Sequence, residues 1–130
     1  MTHLDRYRAF LRDLEAFAAP EVVARHLTDD AQVFELPNRL VAQGRTRDRA
    51  QMLEASTQAP KVLSAQRYVE RRAVEQGDLL VIDLDWQGTL KVPLGQTPAG
   101  GTLDARITAW ARFRDGRICE LTNFDCYQPF

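Results

Sequence analysis

Glu35, Asn123 and Asp125 are the residues whose types and settings could move a proton or hold a carbonyl oxygen. Glu35 closes the run Asp29-Asp30-Ala31-Gln32-Val33-Phe34-Glu35 and is followed by Leu36. A carboxylate in apolar surroundings is a better base, because desolvation disfavours its charged form. On a strand, Phe34 and Leu36 would point away from it, and an exposed glutamate at a sheet edge fits the same pattern. Asn123 and Asp125 stand near the end of the chain, on one strand face with Cys119, Leu121 and Tyr127. Asparagine can hydrogen-bond a carbonyl but cannot take a proton. A buried aspartate needs partners or a raised pKa. Both residues would also serve to tie a sheet to a helix.

Other side chains allow a chemical and a structural reading. Tyr7 offers a phenol that can donate a hydrogen bond. His26 follows Val22 by one helical turn, which could aim it inward, although a satisfied core or surface histidine fits equally. Trp86 and Tyr68 could stack on a flat ligand, yet Trp86 lies on the apolar face of its strand, where packing also explains it. Asp83 and Asp85 share a strand face; without histidine or further acidic neighbours they read as a solvated or interface row, not a metal site. Cys119 and Cys126 would sit roughly 20 Å apart along one strand. A disulfide needs Cα atoms within about 7 Å, so no bridge is expected. With only the distant His3 and His26 besides, no zinc site is expected. No glycine-rich phosphate loop and no Gly-x-Ser-x-Gly elbow occurs, so no cofactor is implied.

The elements that must position these residues are legible in outline. The chain has 130 residues, 45% hydrophobic, which fits one domain over 1–130 with one packed core. The formal net charge is −1 and basic residues are scattered, which argues against nucleic acid and membrane surfaces as partners. With no long apolar stretch and no secretory pattern, a cytoplasmic protein is expected. Leu4, Tyr7, Leu11, Leu14 and Ala18 recur at helical spacing. Pro20 suits the start of a second helix running to about Leu27. Ala31 to Leu36 reads as a short strand, and Leu40 to Gln43 as another. Thr46 could cap a third helix to about Ser56, with Asp48 in its first turn. The remainder reads as strands: Val62 to Glu75, Leu79 to Leu90, Leu103 to Phe113 and Ile118 to Tyr127. On the third of these, Ala105, Ala109 and Ala111 share a face with Leu103, Ile107 and Phe113. Small residues on an inward face leave either a pocket or room for a helix carrying Phe10 and Phe17. The other face carries Asp104, Arg106, Thr108, Trp110 and Arg112, a mix that interfaces favour.

The closing segment carries a more specific signal. Phe113-Arg114-Asp115-Gly116-Arg117-Ile118 followed by Asn123-Phe124-Asp125 is an Asp-Gly hairpin between alternating segments. This order resembles the closing hairpin of the nuclear transport factor 2-like superfamily. That superfamily includes ketosteroid isomerases, SnoaL-like polyketide cyclases and limonene epoxide hydrolases. The resemblance spans nearly the whole chain. It implies an α+β fold: a cone-shaped, curved, mostly antiparallel sheet with three N-terminal helices covering the concave face, and a SnoaL-like domain. It also implies a cavity on that face, and a homodimer through the other.

The resemblance assigns roles as well. Aligned on Asp29-Asp30-Ala31, Glu35 falls at the general-base position of ketosteroid isomerases, and Tyr7 stands near their tyrosine. Their protonated aspartic acid falls on Ala109, so that donor is missing here. SnoaL-like cyclases use an aspartate where Asn123 aligns; a slip of register would put Asp125 in its place. The epoxide hydrolase arrangement is matched only by Asp104 and Arg106, in reversed order and facing away. The expected function is therefore a pocket for a small, largely apolar molecule, with cofactor-free isomerase or cyclase chemistry next to a carbonyl. Glu35 would be the base, assisted or replaced by Asp125. Asn123 or Tyr7 would donate to the oxygen. Trp86, Ala109, Phe113, Leu121 and His26 would line the pocket. The alternatives are a non-catalytic binding or interaction module, or a dimer whose pocket has collapsed.

Overall fold

Thr2 opens the first helix, α1 (His3–Glu15): its hydroxyl accepts from the Asp5 amide, and the Asp5 carboxylate accepts from the Thr2 amide. Such a reciprocal cap contributes about 1 kcal/mol. These positions come from a computed structural model, which describes residues 1–130. Tyr7, Phe10 and Leu11 are buried along the inner stripe of α1. The helix stops at Glu15 and does not reach Ala18. Phe17 adopts a left-handed φ of 52°, the Ala18 amide donates to the Asp13 carbonyl, and the Phe17 amide donates to Leu14. That double closure usually recruits glycine, which is why the sequence gives no warning of it.

Helix α2 (Pro20–Ala24) begins on Pro20 as expected but is short, and β1 (Leu27–Glu35) starts earlier than Ala31. No strand forms at Leu40–Gln43. The Asn38 side-chain oxygen accepts from the Leu40 and Val41 amides, which fixes a turn there. The second strand is β2 (Arg45–Asp48), and Asp48 caps α3 (Arg49–Val62) in place of Thr46. The Asp48 carboxylate accepts from the Gln51 amide, and the Gln51 side chain accepts from the Asp48 amide. The helix runs past Ser56 and through Pro60, which sits in its last turn. There a missing amide removes a single ladder bond. Lys91 then ties off the end, its ammonium donating to the Pro60 carbonyl and its amide to Val62.

The remaining strands are β3 (Leu63–Gln76), β4 (Leu79–Leu90), β5 (Thr102–Arg114) and β6 (Arg117–Tyr127). They join β1 and β2 in one sheet of order β2-β1-β6-β5-β4-β3, in which only β1 and β6 run parallel. Asp115 and Gly116 both have positive φ, as the tight hairpin between β5 and β6 requires. Register shifts in β1, β3 and β6 bend the strands and curl the sheet. The fold is thus the expected α+β arrangement of helices against a curled sheet.

The shift in β6 changes which side chains face inward. Phe113 pairs with Ile118 and Arg112 with Glu120, so Cys119 is the extra residue. Ile118 and Leu121 are both buried as a result, and Cys119 does not share the Leu121 face. On β4 and β5 the alternation is regular. Leu80, Ile82, Leu84 and Trp86 face Leu103, Ala105, Ala109, Ala111 and Phe113 in the interior. Full burial of a side chain such as Ile82 or Leu84 contributes about 1.5–3 kcal/mol. Helix α1 is held over this face by Arg8, whose guanidinium donates twice to Glu70 at 2.8 and 2.9 Å. No helix is long and apolar enough to cross a membrane.

Candidate active site

A cavity of about 180 Å³ opens between α1, α3 and the inner face of the sheet. Its walls are mostly apolar: Phe10, Leu11, Leu14, Met52, Leu84, Ile107 and Leu121. Asn123, Asp125 and Tyr127 reach it from alternate positions of β6, Tyr7 from α1, and Gln66 and Tyr68 from β3. Larger hollows, of about 430 Å³ among Arg67, Asp85, Asp104 and Arg106 and of about 580 Å³ along β2 and α3, are shallow and more open to water.

Asp125 is the group with unusual chemistry. Its Oδ1 is buried and has no hydrogen-bond partner. Burial, with a smaller contribution from the Glu35 charge, raises its pKa to about 6. The same burial raises the phenols of Tyr7, Tyr68 and Tyr127 well above the usual tyrosine range, and the Asp125 charge adds to this in each case. All three are therefore neutral donors. The arrangement sets one carboxylate of raised basicity among neutral phenols and the Asn123 and Gln66 amides. These are the parts needed to take a proton from carbon and to receive the charge that develops on a neighbouring oxygen.

Glu35 occupies a different place. It is the register partner of Asn123 across β1 and β6, at the end of β1. Its Oε1 accepts from Arg45 Nε at 3.0 Å and its Oε2 from Asn38 Nδ2 at 2.9 Å. It does not line the cavity. Gly44 permits this clamp, because a Cβ there would come within 2.7 Å of the Glu35 carbonyl oxygen, and its φ is +67°.

The structure brings Tyr7, Trp86, Leu121, Asn123 and Asp125 together at the cavity. It sets Ala109, Phe113 and His26 apart from it. Ala109 is fully buried in the core between Ile82 and Asn123. Phe113 stacks on the His3 ring at 4.5 Å. His26 Nε2 lies 2.6 Å from Asp13 Oδ2, with its ring edge-on to Phe10, so it joins α1 to the start of β1. Asp83 and Asp85 face outward. Arg106 donates twice to Asp83 and holds its carboxyl down at about 2. Gln66 and Met52 also line the cavity, and the sequence does not single them out. Gln66 shares strand alternation with Tyr68, which is the signal that could have found it; Met52 sits on a helix with no distinct stripe.

Comparison with known proteins agrees with this fold. Residues 7–121 match the model of the SnoaL-like domain. No curated protein sequence matches. Among solved structures, IdmH from Streptomyces antibioticus, a candidate polyketide cyclase, superposes with a TM-score of 0.79 at 19% identity, covering 96% of this chain and 92% of that one. AclR from Streptomyces galilaeus, a candidate hydroxylase, gives 0.78 at 12% identity, covering 98% and 80%. A protein of ketosteroid isomerase-like fold from Catenulispora acidiphila, in complex with trimethylamine, gives 0.72 at 15%, covering 92% and 83%. Identities this low establish the fold. The family match spans most of the sequence, and the chain belongs to the SnoaL-like domain family of nuclear transport factor 2-like folds.

Proposed function

We propose that the protein binds a small, largely apolar carbonyl compound and moves a proton next to its carbonyl without a cofactor. The observation that carries this reading is Asp125, a buried carboxylate with an unpartnered oxygen and a pKa of about 6 at an apolar cavity. Near neutral pH it is mostly ionised yet more basic than an ordinary aspartate. Its carboxylate takes a proton from the α-carbon. The C–H electron pair becomes the enolate, and the enolate oxygen receives hydrogen bonds from the neutral phenols or the Asn123 amide. In a β,γ-unsaturated compound the charge spreads to the γ-carbon, and return of the proton there completes an isomerisation. Attack of the enolate carbon on a second carbonyl of the same molecule forms the ring bond, and the proton passes from Asp125 to the new alkoxide. Glu35, held by Arg45 and Asn38, sets the local charge.

Exchange of α-protons for deuterium tests the reading without knowledge of the natural substrate. Small ketones in D2O should lose their α-protons faster with the protein than without it. Asp125→Asn should slow that exchange by about 10²–10⁴-fold, while ligand-induced thermal stabilisation persists. Ketones that bind without exchange would leave a non-catalytic binding module of the same fold.

The homodimer belongs to this proposal as well. Trp110 and Phe124 are 46% and 43% exposed on the outer face, on adjacent strands. An aromatic pair of this kind among arginines suits an interface.

A further inference from the structure

We infer that the cavity is built for a molecule of one or two small rings, and that Gln66 sets this limit by latching Trp86; the inference rests on the pocket reading above. A cavity of about 150 Å³ accommodates benzene, whereas pockets for drug-sized ligands begin at about 300 Å³. The 180 Å³ available here holds one or two small rings and is too small for four fused rings.

The limiting wall is fixed from several sides. Trp86 Nε1 donates to Gln66 Oε1 at 3.1 Å, and Gln66 Nε2 donates to the Leu14 carbonyl at 2.7 Å. Gln66 thus ties the indole to the end of α1, with each end of its amide occupied. The indole lies against Gly88, where a Cβ would come within 2.7 Å of the ring. Tyr127 meets it edge-on at 6.2 Å. The backbone of β4 stands on one side of the indole and Tyr127 on another, and the Gln66 hydrogen bond holds what they leave free. Loss of the latch frees both Trp86 and the Gln66 side chain. Gln66 is therefore a positioning residue that sets specificity.

Calorimetric titration with 1-decalone and a saturated tetracyclic ketone tests this. The wild-type protein should bind 1-decalone at least about tenfold more tightly than the tetracyclic ketone. Gln66→Ala and Trp86→Phe break the same hydrogen bond from opposite ends, and each should shrink that ratio by about tenfold. A merely structural role would weaken both ketones equally and leave the ratio unchanged, which overturns the assignment of Gln66. Equal binding of the two ketones by the wild-type protein overturns the size limit while the pocket stands. No binding of either ketone removes the pocket reading and this inference together.

Discussion

Arg45 Nε donates to Glu35 Oε1 at 3.0 Å while Asn38 holds the other oxygen, so the glutamate aligned with a general base is fully engaged outside the cavity. Its influence on the site is electrostatic. The Glu35 charge raises the pKa of Asp125, because it disfavours a second negative charge nearby. Glu35→Gln should therefore lower the Asp125 pKa below about 6 and move the acid limb of any rate profile to lower pH. A carbon NMR titration of the Asp125 carboxyl in both proteins checks this. An unmoved midpoint would remove Glu35 from the electrostatics of the site.

Asp125 should also cost the protein stability. Its folded pKa of about 6 lies above the ordinary 3.8, so between those values the folded state binds more protons than the unfolded state. Stability then falls as pH rises through that window, by an amount on the order of 2–3 kcal/mol. Asp125→Asn removes the charge and keeps the shape. It should raise the melting temperature at pH 7–8 and have little effect near pH 4. Thermal melts of both proteins across this range measure the difference. A variant less stable at pH 8 would mean that Asp125 has a stabilising partner in solution.

Strand alternation is what made most of this legible. Leu80, Ile82, Leu84 and Trp86 could be assigned to one face from the sequence, as could Ala105, Ala109 and Ala111. Asp115-Gly116 marked its hairpin because only a few residues tolerate two positive φ angles. The failures have local causes. Phe17 closes α1 in a conformation that glycine normally supplies, and the bulge at Cys119 reverses the alternation of β6 upstream of Leu121. Small residues at Ala109 and Ala111 suggested an opening equally well as a close approach of α1. Alternation specifies a face but not the depth of what covers it. The engagement of Glu35 depends on Arg45 and Asn38, which strand periodicity does not bring to it.

Ala109 provides a check on where the cavity ends. It is fully buried, with Ile82 and Asn123 as its strand partners. Ala109→Leu adds volume to a filled region and should destabilise the fold by about 1–3 kcal/mol. Ile107→Ala, at the cavity wall on the same strand, creates space next to space already present and should increase the ligand volume accepted. Denaturant unfolding of Ala109→Leu separates the two cases. A stability equal to wild type would place open volume at Ala109.

The outer face offers the last test. Trp110 lies between Val81 and Thr122, and Phe124 is the register partner of Thr108, so the two rings rise from adjacent strands on one surface. Burying both against a second copy would remove two large aromatic side chains from water, the kind of anchor on which interfaces depend. Placing a carboxylate at the centre of that contact, with Trp110→Asp, should convert dimers to monomers at micromolar concentration, because two like charges would meet across a symmetric interface. Sedimentation equilibrium of both proteins measures it. A wild-type protein that sediments as a monomer would end the dimer proposal, and a variant that remains dimeric would move the contact elsewhere on the sheet.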